Sequence, residues 1–319
     1  MGAENARVLA KITPGGQMLK TILKWVGIVL AVIVVLLLIA VGAIYFIGQS
    51  KFTKTYNIQV ENVAIPNDAA SIERGKHLVT VLCTGCHGEN LAGTEFFNDP
   101  NGLGVIHAKN LTRGKGGIQN FYMDVDFVRT LRHGVRPDGT SVFVMPAADF
   151  HYLSDQDLGD IIAYLRTLPP VNQEWAPKQF TFMGMMLTGL GAFDNFIGAE
   201  QIDQIGPRPV APAVGVTAEY GGYLVRLNGC RHCHGTQLSG GKVDDPTSNL
   251  HGPNLTPGGE LAAWSDADFI KTLRTGVTPS GHPLDPMMPW KEFGRMTDAE
   301  LKAVFMYLQA QPKLPTTLQ

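Results

Sequence analysis

The stretch between about residue 73 and residue 165 recurs, in unchanged order, between about 219 and 308, and this duplication constrains the fold more than any other feature. Glu73-Arg-Gly75-Lys-His-Leu78-Val79 returns as Glu219-Tyr-Gly221-Gly-Tyr-Leu224-Val225, and Cys83-Thr-Gly-Cys86-His87-Gly88 returns as Cys230-Arg-His-Cys233-His234-Gly235. His107, Asn110 and Thr112 match His251, Asn254 and Thr256, while Met145-Pro146 and Phe150 match Met288-Pro289 and Phe293. Ser154-x-x-Asp157-Leu158 and Tyr164-Leu165 match Thr297-x-x-Glu300-Leu301 and Tyr307-Leu308. Every pair is offset by 142 to 147 positions. Two small domains of roughly 100 residues each are therefore expected, at 65–170 and 216–319.

Each copy reads as mostly helical. Short helices should lead into the cysteines over Gly75 to Leu82 and Gly221 to Asn228, and second helices should run near Asp124 to Arg132 and Ser265 to Arg274. Ser154-x-x-Asp157 and Thr297-x-x-Glu300 open the last helices as capping boxes, in which a hydroxyl satisfies an orphan amide and an acid sits near the positive helix end. Pro169-Pro170 and Pro312 stop them. No strand run is long enough to anchor a sheet.

All four cysteines fall into two Cys-x-x-Cys-His motifs, Cys83 and Cys86 before His87, Cys230 and Cys233 before His234. Two thiols three positions apart can both form thioether bonds to one haem, and the histidine that follows reaches the iron; this is the attachment signature of haem c. A zinc half-site would need a second ligand pair nearby, but the other cysteine pair is 147 residues away. A thiol redox pair would not need histidine at the same place twice. The sequence thus predicts two covalently attached haem c groups.

A sixth iron ligand should recur as well. Met145 lies 58 residues after His87, and Met288 lies 54 after His234, each before proline. A methionine thioether there stabilises the reduced metal. Met123, Met183, Met185, Met186 and Met296 have no counterpart and read as packing residues; Met287 is a local rival that only the repeat alignment sets aside. His107 and His251 also repeat, so histidine ligation stays open, although their place beside Asn-Leu-Thr suggests a loop lining the haem or meeting its propionates. His77, His133, His151, His232 and His282 do not repeat and read as surface or packing residues.

With these motifs in hand, each copy resembles a class I cytochrome c domain, similar to those of membrane-bound bacterial dehydrogenase cytochrome subunits. The Asn-Leu-Thr loop, the Leu-Arg-x-Gly-Val turn and the Met-Pro motif carry that resemblance over residues 70–170 and 216–312. It implies that the first and last helices of each domain cross at a small residue against an aromatic, Gly75 with Tyr164 and Gly221 or Gly222 with Tyr307. Such dehydrogenase subunits often carry three haems; this chain has sites for two.

Before the first copy, residues 25–47 form an uncharged run of 23 residues. As a helix this reaches ~34 Å, enough to cross a hydrocarbon core of ~30 Å. It is too long for a cleaved signal peptide, and Ile44-Tyr45-Phe46 stands where small residues would be needed for cleavage. Arg7, Lys11, Lys20 and Lys24 precede it against Glu4, a balance of +3, so residues 1–24 are expected as a cytoplasmic tail and the rest on the outer face of the inner membrane. The remainder carries a net −5, mildly acidic, which argues against a nucleic-acid partner. Residues 171–215 read as a linker that includes the uncharged stretch 180–193, too short to span and suited to packing on a domain, a partner or the bilayer surface.

The fold class expected is therefore mostly α, one N-terminal transmembrane helix followed by two tandem class I cytochrome c-like all-α domains. The expected function is a membrane-anchored dihaem cytochrome that relays single electrons between redox partners in a respiratory or photosynthetic chain, as a subunit of a larger complex, and is not itself an enzyme. The alternatives are the cytochrome subunit of a periplasmic dehydrogenase and a dihaem peroxidase. The matched Met-Pro motifs and the lack of a recognisable distal acid–base group argue against the peroxidase.

Overall fold

The two repeats fold as helical units of matching order; in the computed structural model the residues described are 14–244 and 248–317. The described residues begin with α1 (Pro14–Thr53), then α2 (Ala69–Leu82), α3 (Thr84–His87), α4 (Asp124–His133), α5 (Ala147–Phe150) and α6 (Asp155–Thr167). After α7 (Phe182–Gly189) come α8 (Ala218–Leu227), α9 (Cys230–His234), α10 (Asp266–Thr275), α11 (Trp290–Phe293) and α12 (Asp298–Gln309). The set α2 to α6 is thus repeated by α8 to α12. Contrary to expectation there are short strands: β1 (Glu95–Asp99), β2 (Gly104–His107) and β3 (Gln179–Phe180) form one antiparallel sheet, and β4 (Gly241–Lys242) pairs with β5 (His251–Gly252). They are too short to show alternation in sequence and are held by a turn or by neighbouring backbone.

In each unit the first helix crosses the last at a glycine. A Cβ on Gly75 would strike the Asp160 carbonyl of α6, and one on Gly221 would strike the Ala303 carbonyl of α12. The resemblance implied an aromatic at this crossing. The nearest neighbour of Gly222 is the Tyr307 ring, whereas backbone stands nearest to Gly75 and Gly221. Around the first crossing lie Leu78, Val79, Leu158, Ile161 and Ile162, all buried, and around the second Leu224, Val225, Leu301, Val304 and Leu308. Each such side chain contributes about 1.5–3 kcal/mol of apolar burial.

Capping follows the sequence with one instructive difference. Thr297 and Glu300 form the full box at α12, and Ser265 with Asp268 forms one at α10. At α6 the Ser154 hydroxyl accepts from the Asp157 amide at 3.0 Å, but the Asp157 carboxylate turns away. It binds Arg74, whose Nε lies 2.9 Å from Oδ1, and Tyr223 of the other unit.

The stretch read as a linker wraps the first unit. Asn110 Nδ2 donates to the Val171 carbonyl (2.7 Å), Trp175 Nε1 donates to Ala92 (2.8 Å), and β3 extends the sheet through Gly104 and Val105. Ile197, Ala199 and Ile202 are buried. Residues 168–178 and 201–217 run without helix or strand. The apolar segment 180–193 supplies α7, which packs on α1. α1 itself is long and apolar enough to cross a membrane. Of the tail expected at 1–24, residues 1–13 lie outside the described residues.

The two units meet through contacts that the repeat relates by an approximate exchange. His77 on α2 bonds Glu300 on α12 at 2.8 Å, and its counterpart Tyr223 on α8 donates to Asp157 on α6 at 2.5 Å. Leu227 enters the first unit's core while its counterpart Val81 enters the second's. Asp149 sits 2.9 Å from His232, and its counterpart Glu292 packs against Gly85. Two histidines expected to be incidental, His77 and His232, therefore join the units.

Candidate functional site

Each cysteine motif is one turn of helix. In the first unit Cys83 closes α2, its amide bonded to the Val79 carbonyl at 2.9 Å, and the His87 amide returns to Cys83 at 2.9 Å. In the second, Gly229 at φ 61° breaks the chain before α9 begins at Cys230. His87 Nδ1–H donates to the Lys109 carbonyl (2.8 Å), and His234 Nδ1–H donates to the Pro253 carbonyl (2.9 Å). A proton held on Nδ1 leaves Nε2 with its lone pair, the orientation a metal ligand needs. Burial pushes both imidazoles below the ordinary histidine pKa, which keeps them neutral and able to ligate.

The thiols are in the wrong environment for redox chemistry of their own. Burial pushes the Cys83 and Cys230 thiols up to about 12, whereas reactive cysteines have depressed values. Among the described residues no three His, Cys, Asp or Glu side chains converge to hold a metal.

Behind each motif the chain makes the same strained turn. Leu91 (φ 56°) and Leu238 (φ 60°) are buried leucines in the left-handed region, a conformation costing of order 1–3 kcal/mol. Their carbonyls accept from Leu111 and Leu255, both at 2.8 Å. This ties the Asn-Leu-Thr loops to the motifs. Asn254 Nδ2 reaches the Leu314 carbonyl at 2.9 Å, as Asn110 reaches Val171. These asparagines thus fasten the segment after each last helix. Of the paired histidines, His107 stacks on Trp175 at 5.0 Å, while His251 lines the cavity described next.

A cavity of about 610 Å³ opens in the second unit, within the range of small-molecule and cofactor sites. Cys230, Cys233, His234 and Met288 line it, and it crosses the interface to Gly85, Cys86 and Pro146 of the first unit. Met287 also reaches it but is 45% exposed, whereas Met288 packs against the second core. Met145 packs against the first core. Both methionines hold the same turn, their carbonyls accepting at 2.7 Å from Ala147 and Trp290. In the first unit Val144 (φ 68°) precedes the methionine, with its amide bonded to Phe196 of the wrapping segment at 3.0 Å. Both donor sets suit a haem, with paired thiols beside an imidazole whose proton is held on Nδ1, and in the second unit an apolar space lies beside Cys230, Cys233, His234 and Met288.

A family model for cytochrome c matches residues 72–169 and again 218–312. The chain belongs to the cytochrome c family. It carries two cytochrome c domains, with the haem-binding and electron-transfer character of that family. Among curated relatives it is 29% identical over 269 residues to the fructose dehydrogenase cytochrome subunit of Gluconobacter japonicus, covering 76% of this chain and 53% of that protein. It is 26% identical to the cytochrome c subunit of the quinone-type alcohol dehydrogenase of Gluconobacter oxydans (strain 621H), covering 78% of this chain and 56% of the relative. It is 32% identical to the gluconate 2-dehydrogenase cytochrome c subunit of Pantoea cypripedii, covering 76% and 60%. The chain spans a little over half the length of these relatives. They are cytochrome subunits, so this cytochrome resembles electron-transfer components rather than a peroxidase.

The groups that join the two domains were not singled out as functional in the sequence. The repeat contained the signal, since Tyr223 stands where His77 stands and Asp157 where Glu300 stands, but both acids were read only as helix caps. The carbonyls of Lys109 and Pro253, which fix the two imidazoles, leave no side-chain signature at all.

Proposed function

We propose that this cytochrome is the cytochrome c subunit of a membrane-bound dehydrogenase, with haem c joined to Cys83 and Cys86 in the first domain and to Cys230 and Cys233 in the second. His87 with Met145, and His234 with Met288, would hold the two irons. A haem bound at each site supplies one-electron chemistry, with the axial methionine favouring the reduced iron. Two such sites divide a two-electron oxidation of an organic substrate into single-electron steps.

The observation that carries this reading is the cavity of the second domain, which holds Cys230, Cys233 and Met288 and is walled across the interface by Cys86 and Pro146 of the first. The chemistry-bearing parts of the two domains thus adjoin, as a relay requires. His77, Tyr223, Asp149 and His232 hold that contact. The relatives favour a dehydrogenase partner over a free-standing respiratory or photosynthetic carrier. α1, with residues 25–47 in the bilayer, anchors the chain with both domains on the periplasmic side.

The test is purification of the native protein from its own membranes. A dehydrogenase subunit should copurify, and its substrate, tried first among sugars, alcohols and sugar acids, should reduce both haems. A cytochrome that copurifies with no dehydrogenase, and whose haems no such substrate reduces, overturns the proposal.

A further inference from the structure

We infer that α7 lies in the outer interfacial layer of the bilayer that α1 crosses, giving the first domain a second contact with lipid. The inference rests on the reading of α1 as an anchor and goes beyond it, because an anchor alone leaves a domain free to swing.

Position comes first. α7 is joined to the outer end of the apolar run of α1 by close backbone approach from both sides. Gly48 of α1 meets the Met185 carbonyl, and Gly189 of α7 meets the Ile44 carbonyl, so that a Cβ on either glycine would collide. Tyr45 stacks on Phe182 with ring centroids 5.8 Å apart. Residues 44–48 are the last before the charged end of α1, so a helix fixed to them sits at the same depth.

The charges agree. The uncharged run of α1 ends at Lys51, and that of the α7 segment ends at Asp194. These two residues pair with each other at 2.5 Å, and Lys51 Nζ also donates to the Thr188 carbonyl at 3.0 Å. One residue-turn further out, Lys54 pairs with Glu200 at 2.6 Å. Two charge-free stretches therefore stop at one level, and that level is closed by ion pairs. Charged heads at a waterline above an apolar surface are the pattern of an interfacial helix.

The surface below that level is apolar. Thr188 and Gly184 of α7 face inward, the latter against Leu103, while Phe182 is 60% exposed, Met183 55% and Leu190 65%. This patch continues without a charge into exposed Phe46 and Ile47 of α1. Continuity with a lipid-facing helix selects lipid as the occupant rather than a protein. A helix of eight residues is about 12 Å long, suited to lying in the headgroup and upper acyl region. The first domain is thereby fixed to the membrane: Phe52 at the end of α1 stacks on Phe180 at 4.5 Å and meets Phe143, two residues before Met145.

The test uses the full haem-loaded chain in lipid nanodiscs. A nitroxide is placed through an unnatural ketone residue, which avoids the cysteines, at position 183, 190, 37 or 216 in turn. Collision with dissolved oxygen and with a water-soluble nickel chelate is measured by electron paramagnetic resonance. Positions 183 and 190 should favour oxygen over nickel severalfold relative to Val216, which is exposed on the interdomain stretch. Position 37, in mid-run, reads the anchor independently. Lipid-like behaviour at 37 with water-like behaviour at 183 and 190 overturns this inference and leaves the anchor standing. Water-like behaviour at 37 removes the anchor reading, and this inference falls with it.

Discussion

Replacing Tyr223 by Phe removes one oxygen from the interface and should cost far more than its size suggests. The hydroxyl donates to Asp157 Oδ2 at 2.5 Å and accepts the Ser154 amide at 3.1 Å. Asp157 has a side chain of 0% exposure, and Arg74 occupies its other oxygen. The variant therefore leaves a buried carboxylate oxygen and a backbone amide without partners. A hydrogen bond to a charged group is worth about 1.5–3 kcal/mol, and the expected loss is about 2–3 kcal/mol. The equivalent contact, His77 with Glu300, gives an internal control. The His77 side chain is 30% exposed, and Glu300 keeps the Thr297 amide at 2.7 Å when the imidazole is gone. His77→Asn should cost about 1 kcal/mol or less. The assay is denaturant unfolding of the haem-loaded protein, followed by Soret absorbance. A Tyr223→Phe cost below about 0.5 kcal/mol, or a larger cost at His77, would refute the reasoning that burial makes two equivalent contacts unequal.

Gly221→Ala should destabilise by about 3 kcal/mol, since overpacking usually costs 1–3 and here the Ala303 backbone cannot rotate aside; Gly215→Ala, with only Thr217 at 3.9 Å, should be neutral or slightly stabilising in the same melts. The bond to Glu300 raises the His77 pKa in the folded protein above its unfolded value near 6.5. Its contribution is then complete below about pH 6.5 and lost as pH rises through the raised value, so wild type minus His77→Asn stability should shrink between about pH 6.5 and alkaline pH; a difference that grew would contradict the pairing. Met287→Ala should leave the visible spectrum unchanged, whereas Met288→Ala should abolish the methionine–iron band of one haem.

Much of this was legible because the duplication supplies an internal control. It separates Met288 from Met287, and the structure places the former against the core and the latter partly in solvent. Helix starts were legible at Thr297, where the cap is local. Asp157 was only half legible: its amide obeys the cap, but its carboxylate serves Arg74 and Tyr223, 83 and 66 residues away. Contacts between repeats are invisible to an alignment of repeats, which matches His77 to Tyr223 without showing that each faces the other copy. The wrapping of residues 171–205 was hidden for a related reason. Trp175 sits singly among polar and proline residues, and Trp175, Phe180 and Ile197 show where they pack only through their partners, Ala92, Phe52 and Phe143. The fastening role of Asn110 and Asn254 was obscured because their bonds end on backbone carbonyls, which every residue has.

In the proposed arrangement, two equivalent domains each hold a covalent haem between histidine and methionine. Near-infrared absorption and magnetic circular dichroism of the oxidised, purified chain test it most directly, with Met145→His and Met288→His measured alongside. Two haems per chain should resist acid–acetone extraction and both show the methionine–iron charge-transfer band, and each variant should remove half of that signal. A wild-type spectrum without the band, or a band unaltered in both variants, would contradict the account.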